Sequence, residues 1–216
     1  MSMANQRVGA FNASPFGTPD VGIPAVRTLT TAGAGALTAD HLAGGFLRRS
    51  GPAAPYADTL PSAESLRAIL AGASDAGKLL PGNSFKWIYS KGVAFAMTIT
   101  RGAGWILGSN VDLNSAATGA REYLVQCLNA TPAQVYLLST TNANAVITGF
   151  TADQMKTLSV GMCIEHANFA TGTRIISMDF ANNTVTASAN ASATTANTAI
   201  TFSPVFQLEG LFSSSI

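Results

Sequence analysis

Ser159-Val-Gly-Met-Cys-Ile-Glu-His-Ala-Asn-Phe-Ala-Thr-Gly-Thr-Arg-Ile-Ile-Ser-Met-Asp-Phe-Ala-Asn-Asn-Thr-Val-Thr-Ala-Ser-Ala-Asn-Ala-Ser-Ala-Thr-Thr-Ala-Asn-Thr-Ala-Ile-Thr-Phe202 sets short alternating runs between wide loops of Ala, Thr, Asn and Ser. Alternation with period two, bounded by turn residues, predicts strands. Asp179–Asn183 reads as the turn between Arg174–Met178 and Thr184–Ala187, Asn190–Asn197 as a loop, and Thr198–Phe202 as a last strand. The stretch carries almost no charge and no catalytic grouping. Small, weakly charged residues suit packing against protein more than chemistry on a small molecule.

Working outward, Thr151-Ala-Asp-Gln154 fits a capping box, with Met155 and Leu158 facing inward. Upstream, Phe85, Trp87 and Tyr89 alternate with Ser84, Lys86 and Ile88. Val93–Thr100, Trp105–Leu107, Glu122–Leu128 and Val135–Leu138 extend the series, with Asn129-Ala-Thr-Pro132 as the turn between the last two. The connections are too short for crossovers, so the pairing is expected to be antiparallel. The other helical signals lie in residues 28–80. Thr38 caps a short turn that Gly44-Gly45 ends, and Asp40 sits near its positive end. Pro61-Ser62-Ala63-Glu64 opens a longer helix with Leu66, Ile69 and Leu70 inward and Gly72 as its stop. The expected fold class is all-β: antiparallel sandwich-like or barrel-like modules with one or two short helices. The expected organisation is an extended N-terminal arm over residues 1–27, a first β-module over 28–141 completed by 205–212, and a second, small β-module over 142–204. No clean internal repeat emerges.

The arm is punctuated by Pro15, Pro19 and Pro24 and by Gly9, Gly17 and Gly22, yet it carries Val8, Phe11, Phe16, Val21, Ile23 and Val26. Ordering it costs about 1–2 kcal/mol per residue. An extended segment recovers little of that on itself, so it is expected to lie on another surface, that of a neighbouring chain.

With 216 residues the chain can bury a core without staples. Charged residues make up 11% of it, against about 25% in ordinary domains. A net charge of +1 lacks the footprint of a nucleic-acid binder, and Arg48-Arg49 reads as a solvated rim. Sparse charge also favours association. Cys127 and Cys163 lie in apolar runs and read as buried thiols, with a disulfide between them left open. Met1–Gly17 has no apolar signal core and no run approaches a membrane span, so the expectation is a soluble protein made in a cytoplasm.

No chemical constellation is complete. Gly72-Ala-Ser-Asp-Ala-Gly77-Lys78 begins a phosphate loop, but Leu79 replaces the Mg²⁺-binding hydroxyl. Gly102-Ala-Gly104 lacks the third glycine of a dinucleotide loop. His41 falls in a helical first turn and reads as an ordinary polar residue. Strand alternation puts Cys163 and Glu165 on one face and His166 on the other, which breaks a local metal site. Asp20, Asp40, Asp58, Glu64, Asp75, Asp112, Glu122, Asp153, Glu165, Asp179 and Glu209 are scattered, and Trp87 and Trp105 read as core anchors. The expected catalytic, cofactor-binding and metal-binding sets are empty.

Leu29-Thr-Thr-Ala-Gly-Ala-Gly-Ala-Leu-Thr-Ala-Asp-His-Leu-Ala-Gly-Gly-Phe-Leu-Arg48 resembles the opening of small head proteins of tailed bacteriophages, the capsid decoration or cement proteins. Ala57–Ala63, Gly82–Phe85, Ala96–Thr100, Arg121–Val125 and Asn129–Pro132 continue the resemblance in the family's order, and residues 146–203 resemble a module recurrent in phage virion proteins. Phe169-Ala-Thr-Gly-Thr173 lacks the family's turn proline, and the arm has no counterpart. The resemblance implies a structural virion protein that binds the major capsid protein on the outer surface of a phage head. It further implies a homotrimer assembled in the bacterial host cytoplasm, with no cofactor and no direct contact with nucleic acid or membrane. It transfers no catalytic residue. The competing expectations are a tail or head fibre subunit contacting host glycans and, behind it, a polysaccharide-degrading enzyme.

Overall fold

A computed structural model describes residues 26–73, 79–113 and 118–215. The chain is mostly β, with three helices among the described residues. It divides into two compact units. One is formed by the chain up to Cys127 together with Phe206–Ile216, the other by Leu128–Val205.

In the first unit the chain alternates between two sheets. It runs through β1 (Val26–Leu29), β2 (Gly35–Ala36), α1 (Ala39–Ala43), β3 (Phe46–Arg49), β4 (Tyr56–Thr59), α2 (Ala63–Ala73), β5 (Ser84–Lys91) and β6 (Met97–Thr100). β7 (Trp105–Leu107), β8 (Gly119–Asn129) and the returning β15 (Val205–Ser215) complete the six-stranded sheet β1-β3-β5-β8-β15-β7, while β2, β4 and β6 form the other sheet. Strands β1, β3 and β5 pair in parallel, as do β2, β4 and β6, and as do β7 and β15.

This corrects the antiparallel expectation. From β1 to β7, consecutive strands belong to different sheets, so the short links are steps between sheets and not hairpins. Each return to a sheet passes through a strand of the other, usually with a helix, which supplies the length a parallel crossover needs. Antiparallel pairing in this sheet survives between β5 and β8, from Ser84↔Gln126 to Lys91↔Gly119.

The helices follow from local chemistry. Thr38 Oγ1 accepts the His41 N–H, and His41 Nδ1 accepts the Thr38 N–H, which closes a capping box. Gly44 caps the other end and Gly45 adopts φ +78, a conformation that favours glycine. In α2, Ser62 Oγ accepts the Ser65 N–H, and Ala63, Leu66 and Leu70 are buried, with Ile69 at the flank. Gly72 does not stop this helix, which continues through it to Ala73.

The second unit contains β9 (Gln134–Thr140), β10 (Val146–Ile147), α3 (Ala152–Lys156), β11 (Cys163–Glu165), β12 (Ile175–Asp179), β13 (Thr184–Ala187) and β14 (Thr195–Ser203). Its two sheets, β11-β14-β9 and β10-β13-β12, are antiparallel throughout. Ile147, Met155, Ile164, Val185, Ile200 and Phe202 anchor one apolar core. Thr151 and Gln154 close a capping box on α3. Asp179 Oδ1 accepts the N–H groups of Ala181 and Asn182, holding the β12–β13 turn, while Asn183 takes φ +51.

Strand β9 pairs with β14 from Thr140↔Thr195 to Gln134↔Phe202, so residues 134–140 belong to this unit and not to a first module ending at 141. The turn at Asn129–Pro132 lies within the second unit and closes no hairpin, since β8 pairs with β5 and β9 with β14. The arm expected over 1–27 lies outside the described residues except for Val26 and Arg27, which already form part of β1.

Candidate functional site

A dense polar cluster links β3 of one sheet of the first unit to β4 of the other. Arg49 does not form the solvated rim expected of Arg48-Arg49. Arg48 is exposed, but the Arg49 and Asp58 side chains are both fully buried. Arg49 Nε donates to Asp58 Oδ2 at 2.9 Å and Nη2 donates to Oδ1 at 3.3 Å. Its remaining N–H groups bond the backbone carbonyls of Thr31 (2.6 Å), Ser50 (3.2 Å), Leu29 (3.3 Å) and Gly33. The guanidinium stands 5.0 Å from the centre of the Tyr56 ring.

Asp58 Oδ1 also accepts the Gly35 N–H at 2.9 Å, and Oδ2 accepts the Tyr89 hydroxyl at 2.7 Å. Burial, followed by the Asp58 charge, pushes the Tyr89 phenol far above its ordinary range, so it stays a donor. With four bonds to two oxygens, the carboxylate has no acceptor capacity left. The cluster is chemically closed and acts as a tie. It joins the loop after β1 to β2, β3, β4 and β5. Beside it, in register with Arg49, the buried Lys91 donates to the Phe95 carbonyl at 2.7 Å, and burial lowers its pKa.

The residues weighed in the sequence have structural partners. Neutral His41 serves the α1 cap, and burial and then the charge of Arg27 lower its pKa. His166 Nδ1 accepts the Asn168 N–H at 3.1 Å, which leaves Nε2 to donate to Thr198 Oγ1, also at 3.1 Å. Cys163 Sγ donates to Glu165 at 3.1 Å, on the face that alternation assigns to both. Cys163 and Cys127 are both buried and form no disulfide.

Asp112 accepts the Ile99 N–H, Glu209 accepts from Ser109, and Glu64, Glu122 and Asp153 pair with Arg67, Lys86 and Lys156. The described residues include no group of three or more His, Cys, Asp or Glu able to hold a metal ion. Gly102 belongs to a turn where a Cβ would lie 2.4 Å from the Pro61 carbonyl oxygen, so its glycine serves close backbone approach. Trp87 and Trp105 are fully buried, their indole N–H groups on the carbonyls of His41 and Pro61. The phosphate-loop match beyond Ala73 lies outside the described residues, as do Asp20 and Asp75. Among the described residues, no helix is long and apolar enough to cross a membrane.

What the second unit offers is surface. Val135 and Leu137, two apart on β9, are each 60% exposed, and their partners across β14 are Thr201 and Ala199. Val160 and Ile176 are exposed close together, since the Gly161 N–H bonds the Ile175 carbonyl, and Phe180 is exposed in the turn after β12. Adjoining exposed apolar side chains, as Val135 and Leu137 are on one face of β9, are suited to contact with another protein. The sequence hid this pair because Val135, Tyr136, Leu137 and Leu138 are apolar on both faces of β9, and periodicity alone cannot say which face is covered. No protein-family model, curated protein or solved structure matches this chain.

Proposed function

We propose that this chain is a structural virion component, a capsid decoration protein that binds the outer surface of a bacteriophage head as a homotrimer. What carries this reading is a resemblance: the ordered series of motifs from Leu29 to Pro132 is similar to that of such proteins. Two structural features support it. The polar cluster around Asp58 is saturated and serves cohesion, and the exposed apolar side chains of the second unit provide surface for protein contact. A ligand that binds only the assembled shell stabilises it by mass action.

The test is to mix the purified chain with undecorated heads and follow co-sedimentation, then image the particles. Regular density on the outer head surface with three-fold symmetry is the expected result. Density confined to the tail would replace the reading with a fibre subunit, and failure to sediment with heads would reject it. Replacing Val135 and Leu137 with Ser should weaken attachment by about tenfold or more, because each apolar side chain contributes about 1.5–3 kcal/mol when fully buried.

A further inference from the structure

Strand β9 is the last strand of the sheet β11-β14-β9, and among the described residues no strand runs the length of its other side. That side is covered at one end, where Ser139 donates to the Thr148 carbonyl at 3.0 Å and accepts the Thr148 N–H at 3.2 Å. Gly149 follows at φ +99 and leads to the buried Phe150. In an antiparallel strand the backbone groups of every second residue point to the same side. Those of Leu137 and Val135 therefore lie on the side of Ser139, away from β14 and past the cover that Thr148 provides. Their N–H and carbonyl groups line one open edge, and their side chains stand exposed on the outer face beside it.

Open edges are ordinarily guarded by charge, proline, a bulge or shortness. Three other edge strands of this molecule follow that rule. β1 carries Arg27, β7 has three residues, and β12 has an irregular register beside Ile176 and ends on Asp179. β9, Gln134-Val-Tyr-Leu-Leu-Ser-Thr140, has neither charge nor proline, and the extra residue in its pairing belongs to β14. The edge is also complementary to itself. A two-fold axis through Tyr136 sets Val135 of one copy opposite Leu137 of the other, in antiparallel register. Each such pair exchanges both of its N–H···O bonds, and the apolar side chains of both copies meet on one face. A two-fold contact needs only the patch that every copy already carries, and no charge on β9 opposes the approach.

We propose that β9 is a self-pairing edge: two copies of the chain join their β9 strands antiparallel through Val135 and Leu137 into one continuous sheet. The contact is two-fold, so it links copies in addition to any three-fold assembly, and it holds whether or not the chain decorates a phage head. Its span is shorter than the about 20–30 residues a side of a standard interface, so the pairing is weak alone and forms at high protein concentration.

Residue-resolved amide exchange of the full chain, compared at low and high protein concentration, reads the contact. Exchange at Val135 and Leu137 should slow by about tenfold or more on concentration, while Tyr136 and Leu138, which face β14, stay slow throughout. Leu137→Pro removes an N–H that faces the open edge, where proline is tolerated, so the fold should survive and the slowing at Val135 should vanish. Should that variant fail to fold, Leu137→Lys replaces it, since an edge lysine blocks pairing. The register is tested with thiols, the native ones being buried. A mixture of Val135→Cys and Leu137→Cys chains should form disulfides between the two variants faster than either variant forms them with itself. Fast exchange at Val135 and Leu137 at every concentration overturns the proposal, as does slow exchange at Val135 that persists in the folded variant. Equal disulfide rates overturn it by removing the two-fold register. Protection that appears only when undecorated heads are added overturns it by assigning the edge to the capsid surface.

Discussion

The two units bury polar groups in different ways. The first encloses charge: Arg49, Asp58 and Lys91 are buried among its aromatic residues. The buried polar residues of the second, among those described, are neutral: Asn129, Thr140, Asn168, Thr173 and Ser203. The difference follows topology. In the second unit the β12–β13 hairpin is held by its own turn, and the other antiparallel pairings close around one apolar core with neutral polar bonds. In the first unit, neighbouring strands are separated by whole excursions through another sheet. Nothing local fixes their alignment, and the Arg49–Asp58 cluster supplies the missing tie by touching five successive segments.

The sharpest way to break this comparison is to remove one side of the tie. Asp58→Ala leaves a buried guanidinium without its carboxylate and should cost about 3–5 kcal/mol, read as a lower urea midpoint. Replacing a simple buried pair with apolar residues often restores stability. Here Arg49→Met/Asp58→Leu should not, because the carbonyls of Thr31 and Gly33 and the Gly35 N–H would lose these partners as well. A double variant as stable as the parent would show that the cluster is only an ion pair.

The second unit should respond to packing instead. Leu138→Ala removes a side chain that is 1% exposed in its core and should cost about 2–5 kcal/mol. Hydrogen exchange should locate the loss in β9, β13 and β14 and leave β3 and β5 protected, provided the units open separately. Equal loss of protection in both units would show that they unfold as one.

The capping boxes allow a closer comparison. Thr38→Ala and Thr151→Ala each remove a hydroxyl acceptor from a helix start, and each should cost about 0.5–2 kcal/mol by chemical denaturation. A loss below that range at either site would mean that packing around Leu42 or Met155 holds the helix without its cap.

What could be read in the sequence divides along the same line. The caps at Thr38 and Thr151, the turn at Asp179–Asn183, and the shared face of Cys163 and Glu165 all depend on residues within a few positions of one another. Strand periodicity located β5, β7, β8 and β13 for the same reason. Partner choice was not legible. Nothing near Gln134–Thr140 says that β9 pairs with β14 and not β8, since that pairing is set about sixty residues away. Arg49 was misread because a single basic residue carries no sign of its partner. Only the parallel alignment of β3 with β5, and the arrival of Asp58 from β4, makes its burial intelligible.

The smallest predicted effect separates the two caps by chemistry alone. Gln154 and His41 play the same role, each accepting the backbone N–H of its cap threonine, but only His41 titrates near neutrality. Protonation of Nδ1 would replace an acceptor with a donor facing an N–H. Burial and the charge of Arg27 oppose protonation in the same direction, and together they outweigh the pull of Asp40 and Asp58. The folded-state pKa therefore lies below the ordinary 6.5. Above 6.5 the ring is neutral in both states and the contribution is fully present. As pH falls through 6.5, the unfolded chain takes up the proton first, so stability declines until the folded pKa is passed. His41→Gln should keep the cap, as Gln154 does in α3, and remove that decline. Unfolding free energies measured between about pH 7 and pH 5 should then run flatter for the variant than for the parent. Parallel profiles would mean that His41 does not titrate differently in the folded chain, and that the two capping boxes are equivalent.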